Sequence, residues 1–212
     1  MSSILEDEAE RAVVGEQPAL LYFGWLLFVQ LTVAVALQVA SVPFGLAFTE
    51  LVFFVAPVWL WLLAANLRPA GFLRLGRPPA RLLALGVAVG LANFLVAGSL
   101  QAAARELLPQ LAGDFDPLRL FRQLSVTETV MLVAAVGLVA PVCEEVAFRG
   151  YLQTVLVARY RGALGVVLPA VLFSAMHFDP VGLAARAEMG LVFGLMTLWA
   201  GSLWPAVAAH AV

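Results

Sequence analysis

Apolar runs long enough to cross a bilayer follow one another along this chain, with only short polar breaks between them. A hydrocarbon layer about 30 Å thick takes about 20 helical residues to cross. Runs of that order extend from about Pro18 to Ala40, Phe44 to Ala65 and Ala80 to Ala104. Ser41-Val42-Pro43 alone separates the first two, which predicts a tight helical hairpin. A fourth helix starts near Ser125, where Thr127 and Glu128 suit a first turn, and its pattern continues to about Tyr160. That is too long for a simple span, so a bend at Pro141 or Gly150 is expected. A fifth run covers about Ala163 to Phe178 and a sixth about Val181 to Ala200, while a seventh begins after Trp204-Pro205 and is cut off at Val212. In lipid a backbone must satisfy its own hydrogen bonds, which leaves helices and closed barrels as the spanning structures. Runs this long are helices. The expected fold is all-α, a polytopic transmembrane bundle of about six to seven spans with the last one truncated.

Composition agrees. With 63% hydrophobic and 12% charged residues, the chain carries more apolar surface than a water-soluble domain of its length can hide. A net charge of −2 gives no electrostatic footprint for nucleic acid. The single cysteine, Cys143, excludes an internal disulfide framework and a cysteine-only zinc site. Residues 1–17 hold Glu6, Asp7, Glu8, Glu10 and Glu16 against Arg11, the reverse of a signal peptide's basic start, and read as a polar tail. The remaining divisions are 18–124, the N-terminal membrane helices with the polar loop that follows them, and 125–212, the helices beyond. Arg68, Arg74, Arg77 and Arg81 crowd the loop between the second and third runs. The positive-inside rule places that loop, and with it the N-terminus, in the cytoplasm of a multi-pass cell-membrane protein. Arg159 and Arg161 fall on the same side by alternation.

Ionisable side chains inside such spans cost about 2.5–3.5 kcal/mol each on insertion, so they mark function by default. Three places stand out. Cys143 is followed at once by Glu144 and Glu145 and then by Arg149; Phe173-Ser174-Ala175-Met176 leads to His177; Pro205-Ala206-Val207-Ala208-Ala209 leads to His210. Glu145 and Arg149 are four apart and share a helix face, which predicts an ion pair. Glu144 is rotated by about 100° and finds Phe148 at its own i+4 position, so it has no evident partner on its helix. A carboxylate with no cation beside it in apolar surroundings suits a general base working near neutrality. Sixteen residues separate Glu145 from Arg161 and fifteen separate Gly162 from His177, so a straight hairpin would set the two side chains level. His210 comes only five residues after Pro205, and a straight seventh helix would leave it shallower.

Glu144-Glu145-Val146-Ala147-Phe148-Arg149-Gly150 has the form EExxFRG, Phe173 to His177 is FxxxH, and His210 opens a third motif. In order and in placement on consecutive membrane helices, these resemble the CPBP family of intramembrane glutamic endopeptidases. That family includes CAAX proteases, bacterial proteins of bacteriocin self-immunity and protein-sorting proteases. The likeness covers roughly residues 125–212, which would form the catalytic core; the first three spans match only as generic membrane helices. It implies that Glu144 and His177 activate a water and that His210 stabilises the oxyanion, with Glu145 and Arg149 as the supporting pair. The family's Asn four positions after that histidine would fall at 214, beyond Val212, which leaves the oxyanion partner unassigned.

The expected function is thus an intramembrane endopeptidase, with a membrane-associated protein or peptide as substrate, the lipid bilayer as surroundings and no nucleic acid. No cofactor is expected, although two carboxylates and two histidines are also donors that zinc accepts. A non-catalytic scaffold or immunity protein could use the same cavity to bind a partner. A proton-coupled transporter also places Glu and His at membrane depth, but the uneven helices show no repeat symmetry. Bland readings stand beside these: an ion-pair cluster that pins a helix end, a hydrogen-bonded core histidine, and a cysteine that only packs. Trp59, Trp61 and Trp204 read as interfacial anchors.

Overall fold

The computed structural model describes residues 15–112, 121–160 and 162–212; most of the N-terminal tail, Arg161, and Gly113 and Pro117 of the long loop lie outside them. Among the described residues the elements are all helical. We number the main helices α1 (Glu16–Ala40), α2 (Val42–Ala64), α3 (Ala80–Leu107), α4 (Val126–Tyr160), α5 (Leu164–Ala175), α6 (Leu183–Ala200) and α7 (Trp204–His210). Five are long and apolar enough to cross a membrane: α1, α2, α3, α4 and α6. The other two are shorter. Over the described residues α5 has 12 residues and α7 has 7, rises of about 18 and 10 Å.

Local sequence explains the ends and irregularities. Ser125 caps α4 with a capping box: Glu128 N donates to Ser125 Oγ (3.3 Å), and Ser125 N donates to Glu128 Oε2 (2.9 Å). Ser41 is the single extended residue between α1 and α2. Their hairpin closes on Gly45, where an added Cβ would stand 2.6 Å from the backbone of Leu37 and Gln38. Pro57 and Pro141 each follow a stretch of π-helix, Thr49–Val55 and Ala135–Val139. A proline has no N–H and crowds the carbonyl four residues back, and a widened turn makes room for it. A second π stretch in α4, Val146–Leu152, contains Gly150.

The core lies where α1, α2 and α5 meet α4. Leu26, Phe54, Val58, Leu62, Phe148, Tyr151, Leu152, Val155 and Phe173 are all buried there. Tyr22 packs edge-on to Tyr151 at 5.1 Å and donates its hydroxyl to Phe54 O (2.7 Å). The outer faces stay apolar: Leu21, Val39, Phe94, Leu95 and Val126 are exposed, as expected of a surface made for lipid. Two sets of contacts tie one end of the bundle together. Arg159 and Tyr160, at the end of α4, both reach Glu16 at the start of α1. The loop after α6 donates three hydrogen bonds to the loop after α2: Leu203 N to Arg74 O (3.0 Å), Ser202 Oγ to Gly76 O (2.8 Å) and Trp204 Nε1 to Leu75 O (3.0 Å). The α1 start, the arginine-rich loop, the α4 end and the α6–α7 loop therefore share one face.

Candidate active site

The middle of α4 presents Cys143, Glu144 and Glu145 just after Pro141, and Arg149 one turn on. Glu145 and Arg149 pair at 3.0 Å with both side chains essentially sealed from solvent. The Arg149 guanidinium also lies 4.5 Å over the Phe173 ring and 5.8 Å from Phe193, so its charge meets two aromatic faces as well as a carboxylate.

His210 reaches this cluster directly. Its Nδ1 is 3.0 Å from Glu145 Oε1 and its Nε2 is 3.7 Å from Glu144 Oε2. The shallow position expected of it is therefore corrected, and Glu144, without a partner on its own helix, meets a residue of another. The reason lies in where α7 begins. The arginine-rich loop dips into the bundle through the turn Pro69–Phe72, burying Leu73, and its hydrogen bonds draw Leu203 in beside it. Both leucines rest on Gly150, where an added Cβ would meet Leu73 Cδ2 at 3.2 Å and Leu203 Cδ1 at 3.5 Å. So α7 starts level with Gly150 instead of the end of α4. Six residues then lift the chain about 9 Å to His210, against about 7.5 Å for the five from Gly150 back to Glu145.

Close helix packing holds α7 there. Gly86 and Gly90 of α3 are spaced for a small-xxx-small contact. A Cβ at Gly86 would lie 3.0 Å from Pro205 C, and one at Gly90 would lie 2.8 Å from Ala209 Cα. On the far side of α7, Gly90, Asn93, Met189, Phe193, Ala209 and His210 border a small cavity of about 110 Å³.

His177 stands just past the end of α5, with Nδ1 2.8 Å from Phe173 O. With Nδ1–H donating to that carbonyl, Nε2 is left as the ring's acceptor. No hydrogen bond or ion pair joins His177 to Glu144 among the described residues. The link runs through the Phe173 ring, 4.9 Å from the His177 ring, 6.0 Å from the His210 ring and 5.2 Å from Phe148. Beyond His177 the chain reverses at Phe178, in the left-handed region (φ +50°). Asp179 then accepts from Val181 N (3.1 Å) and pairs with Arg186 (2.8 Å). Partial burial pushes the Asp179 carboxyl up, but the Arg186 bond and charge and two backbone N–H groups hold it below its ordinary range.

The structure thus brings Glu144, Glu145, Arg149 and His210 into one network and sets His177 beside it across Phe173. Cys143 is buried and unbonded. The Trp204 indole N–H donates to Leu75 O. Among the described residues no three His, Cys, Asp or Glu side chains are placed to hold a metal ion. No chemical step is therefore routed through zinc. Glu50, in the π stretch of α2, was not singled out from the sequence; it is 4% exposed, and its segment packs on this part of α4. It was legible as the single acidic residue in the run Phe44–Ala65, just as Gly86 and Gly90 were legible in their spacing.

Residues 126–212 match the family model described as type II CAAX prenyl endopeptidase Rce1-like. That segment holds every residue of the network, and its likeness to the CPBP family is shown. No curated protein and no solved structure matches the chain.

Proposed function

We propose that the Rce1-like segment is the catalytic core of an intramembrane endopeptidase that works through glutamate and histidine. The observation that carries this reading is the meeting of α4 and α7, with one imidazole held against two adjacent carboxylates, Glu145 buried and Glu144 partly so. A carboxylate, an oriented imidazole and a buried cation are the parts that amide hydrolysis needs. Structural ion pairs seldom leave a carboxylate beyond their own charge balance. Here Arg149 balances Glu145 and leaves Glu144 as excess.

In this reading Glu144 accepts a proton from water as the oxygen forms its bond to the scissile carbonyl carbon. Nε2 of His177 is the acceptor that helps aim that water. Glu145 holds Nδ1 of His210, so that protonated Nε2 can donate to the oxyanion as it forms. When the intermediate collapses, the C–N bond breaks and Glu144 returns its proton to the leaving amine. Arg149 keeps Glu145 in place. The substrate is a membrane-associated protein or peptide; a lipidated C-terminus of CAAX type is the class that the family description suggests. The face bearing Arg68, Arg74, Arg77 and Arg81 lies in the cytoplasm, and catalysis needs no metal.

A census of protein termini in membranes of the native host, comparing wild type with Glu144→Ala at equal protein levels, tests this. Termini that depend on Glu144 establish the activity and identify the substrate. Identical termini in both strains overturn it in favour of a partner-binding scaffold.

A further inference from the structure

Glu50 lies outside the segment that matches the family, yet the helix segment that carries it packs on the one that carries the proposed base. It is the second residue of the π stretch Thr49–Val55, which packs on Ala140–Glu145, and it lies close enough to Glu144 and Cys143 for their charges to act on one another. Its side chain is almost wholly buried, and its Oε2 has no hydrogen-bond partner among the described residues. The segments packed around it carry Glu16, Tyr22, Cys143, Glu144, Glu145, Arg149 and Tyr151. Of these, Glu16 lies at the far end of α1 with Arg159 and Tyr160, Tyr22 donates to Phe54 O, and Arg149, the one cation, is bound to Glu145. Among the described residues of these segments, no other cation stands to offset a negative charge on Glu50.

We propose that Glu50 is a further residue of the reaction site, and that its carboxyl and that of Glu144 hold one proton between them. Two carboxylates facing each other in apolar surroundings, with no cation between them, do not both ionise. Glu144 has His210 at 3.7 Å and some exposure, so the negative charge rests on Glu144 and the proton on Glu50. The pair then cycles with its charge balanced. Glu144 takes the water's proton as the oxyanion forms, which leaves the two carboxyls neutral and the intermediate charged. When the C–N bond breaks, that proton leaves with the amine, and the pair returns to one proton. Glu50 therefore maintains a singly charged base in a site that would otherwise carry two like charges. The inference rests on Glu144 being the base, but its spectroscopic test does not.

The test is infrared spectroscopy of the full chain in nanodiscs near neutral pH, reading the C=O stretch that a protonated carboxyl shows and a carboxylate lacks. The band is expected in wild type, lost in Glu50→Gln, and kept but shifted in Glu144→Gln. A band unchanged in both variants overturns the proposal; should Glu50→Gln fail to fold, an unchanged band in Glu144→Gln does so alone. Where cleavage is measurable, the alkaline limb of the kcat/KM profile is expected to vanish or move by about one pH unit or more in Glu50→Gln. A merely structural residue would lower the rate without reshaping the profile, and that result also counts against the proposal. Loss of the band in Glu50→Gln, in a protein with no Glu144-dependent cleavage, would leave the shared proton standing and remove the peptidase reading instead.

Discussion

His210 is held from two sides by carboxylates that belong to one turn of another helix, and the four residues of that network do not contribute alike. Arg149 and Glu145 are sealed, and each compensates the other's desolvation, so removing one leaves an uncompensated buried charge. Arg149→Ala is expected to lower stability by about 3–5 kcal/mol, measured by thermal or denaturant unfolding in mild detergent. Glu144→Gln should behave in the opposite way. It removes the excess charge, keeps the shape, and is expected to unfold at or above the wild-type temperature while slowing cleavage by about 10²–10⁴. An equal loss of stability in both variants would show that the cluster is structural. Asp179 makes a smaller, pH-dependent contribution. Its folded-state carboxyl lies below its ordinary value, so its stabilising effect is complete above about pH 4 and fades as the pH falls through the folded value. Protection of the turn between α5 and α6 against hydrogen exchange, taken relative to the intrinsic rate at each pH, should therefore fall in acid, and Asp179→Asn should remove that fall.

The short helices depend on their neighbours for position. α7 has seven residues and no side-chain cap, too few for a helix that stands by its own propensity. Its depth is set by the sunken loop after α2, and its distance from α4 by the glycine pair of α3. Gly90→Val would drive side-chain atoms into Ala209 and push α7 outward. Helix content by circular dichroism should survive while cleavage falls by about 10² or more, the usual result of a displacement near 1 Å at a catalytic group. Unaltered cleavage would mean that His210 does not need its present position. The π stretches of α2 and α4 likewise set which residues face the site: Glu50 lies in one and Glu145 immediately precedes another.

At the scale of the whole molecule, the described residues hold five helices long and apolar enough to cross a membrane and two shorter ones, and the supports of the site come from both halves of the chain. The contacts among chain ends and loops fix which segments share a face, and the arginines propose which face that is. In a Cys143→Ala background, Arg77→Cys and Gln110→Cys are expected to label from opposite sides with a membrane-impermeant thiol reagent, Arg77→Cys from the cytoplasm. Both positions are exposed. Labelling of both from one side would overturn the topology.

What could be read from the sequence alone is what depends on near neighbours along the chain. Span lengths and their order follow from local hydropathy, the Glu145–Arg149 pair from the pitch of a helix, and the start of α4 from the Ser125–Glu128 box. The three motifs likewise lie in contiguous residues, and a family model matches the segment that holds them. The position of His210 was not legible this way, because its depth depends on a loop more than a hundred residues earlier that sinks into the bundle and anchors Leu203. Nor was the place of Glu50 beside Glu144, since hydropathy shows that a residue is buried but not what it is buried against. Tertiary structure decided both, through backbone hydrogen bonds between loops and glycine contacts between helices, interactions of shape that leave almost no trace in the periodicity of a single chain.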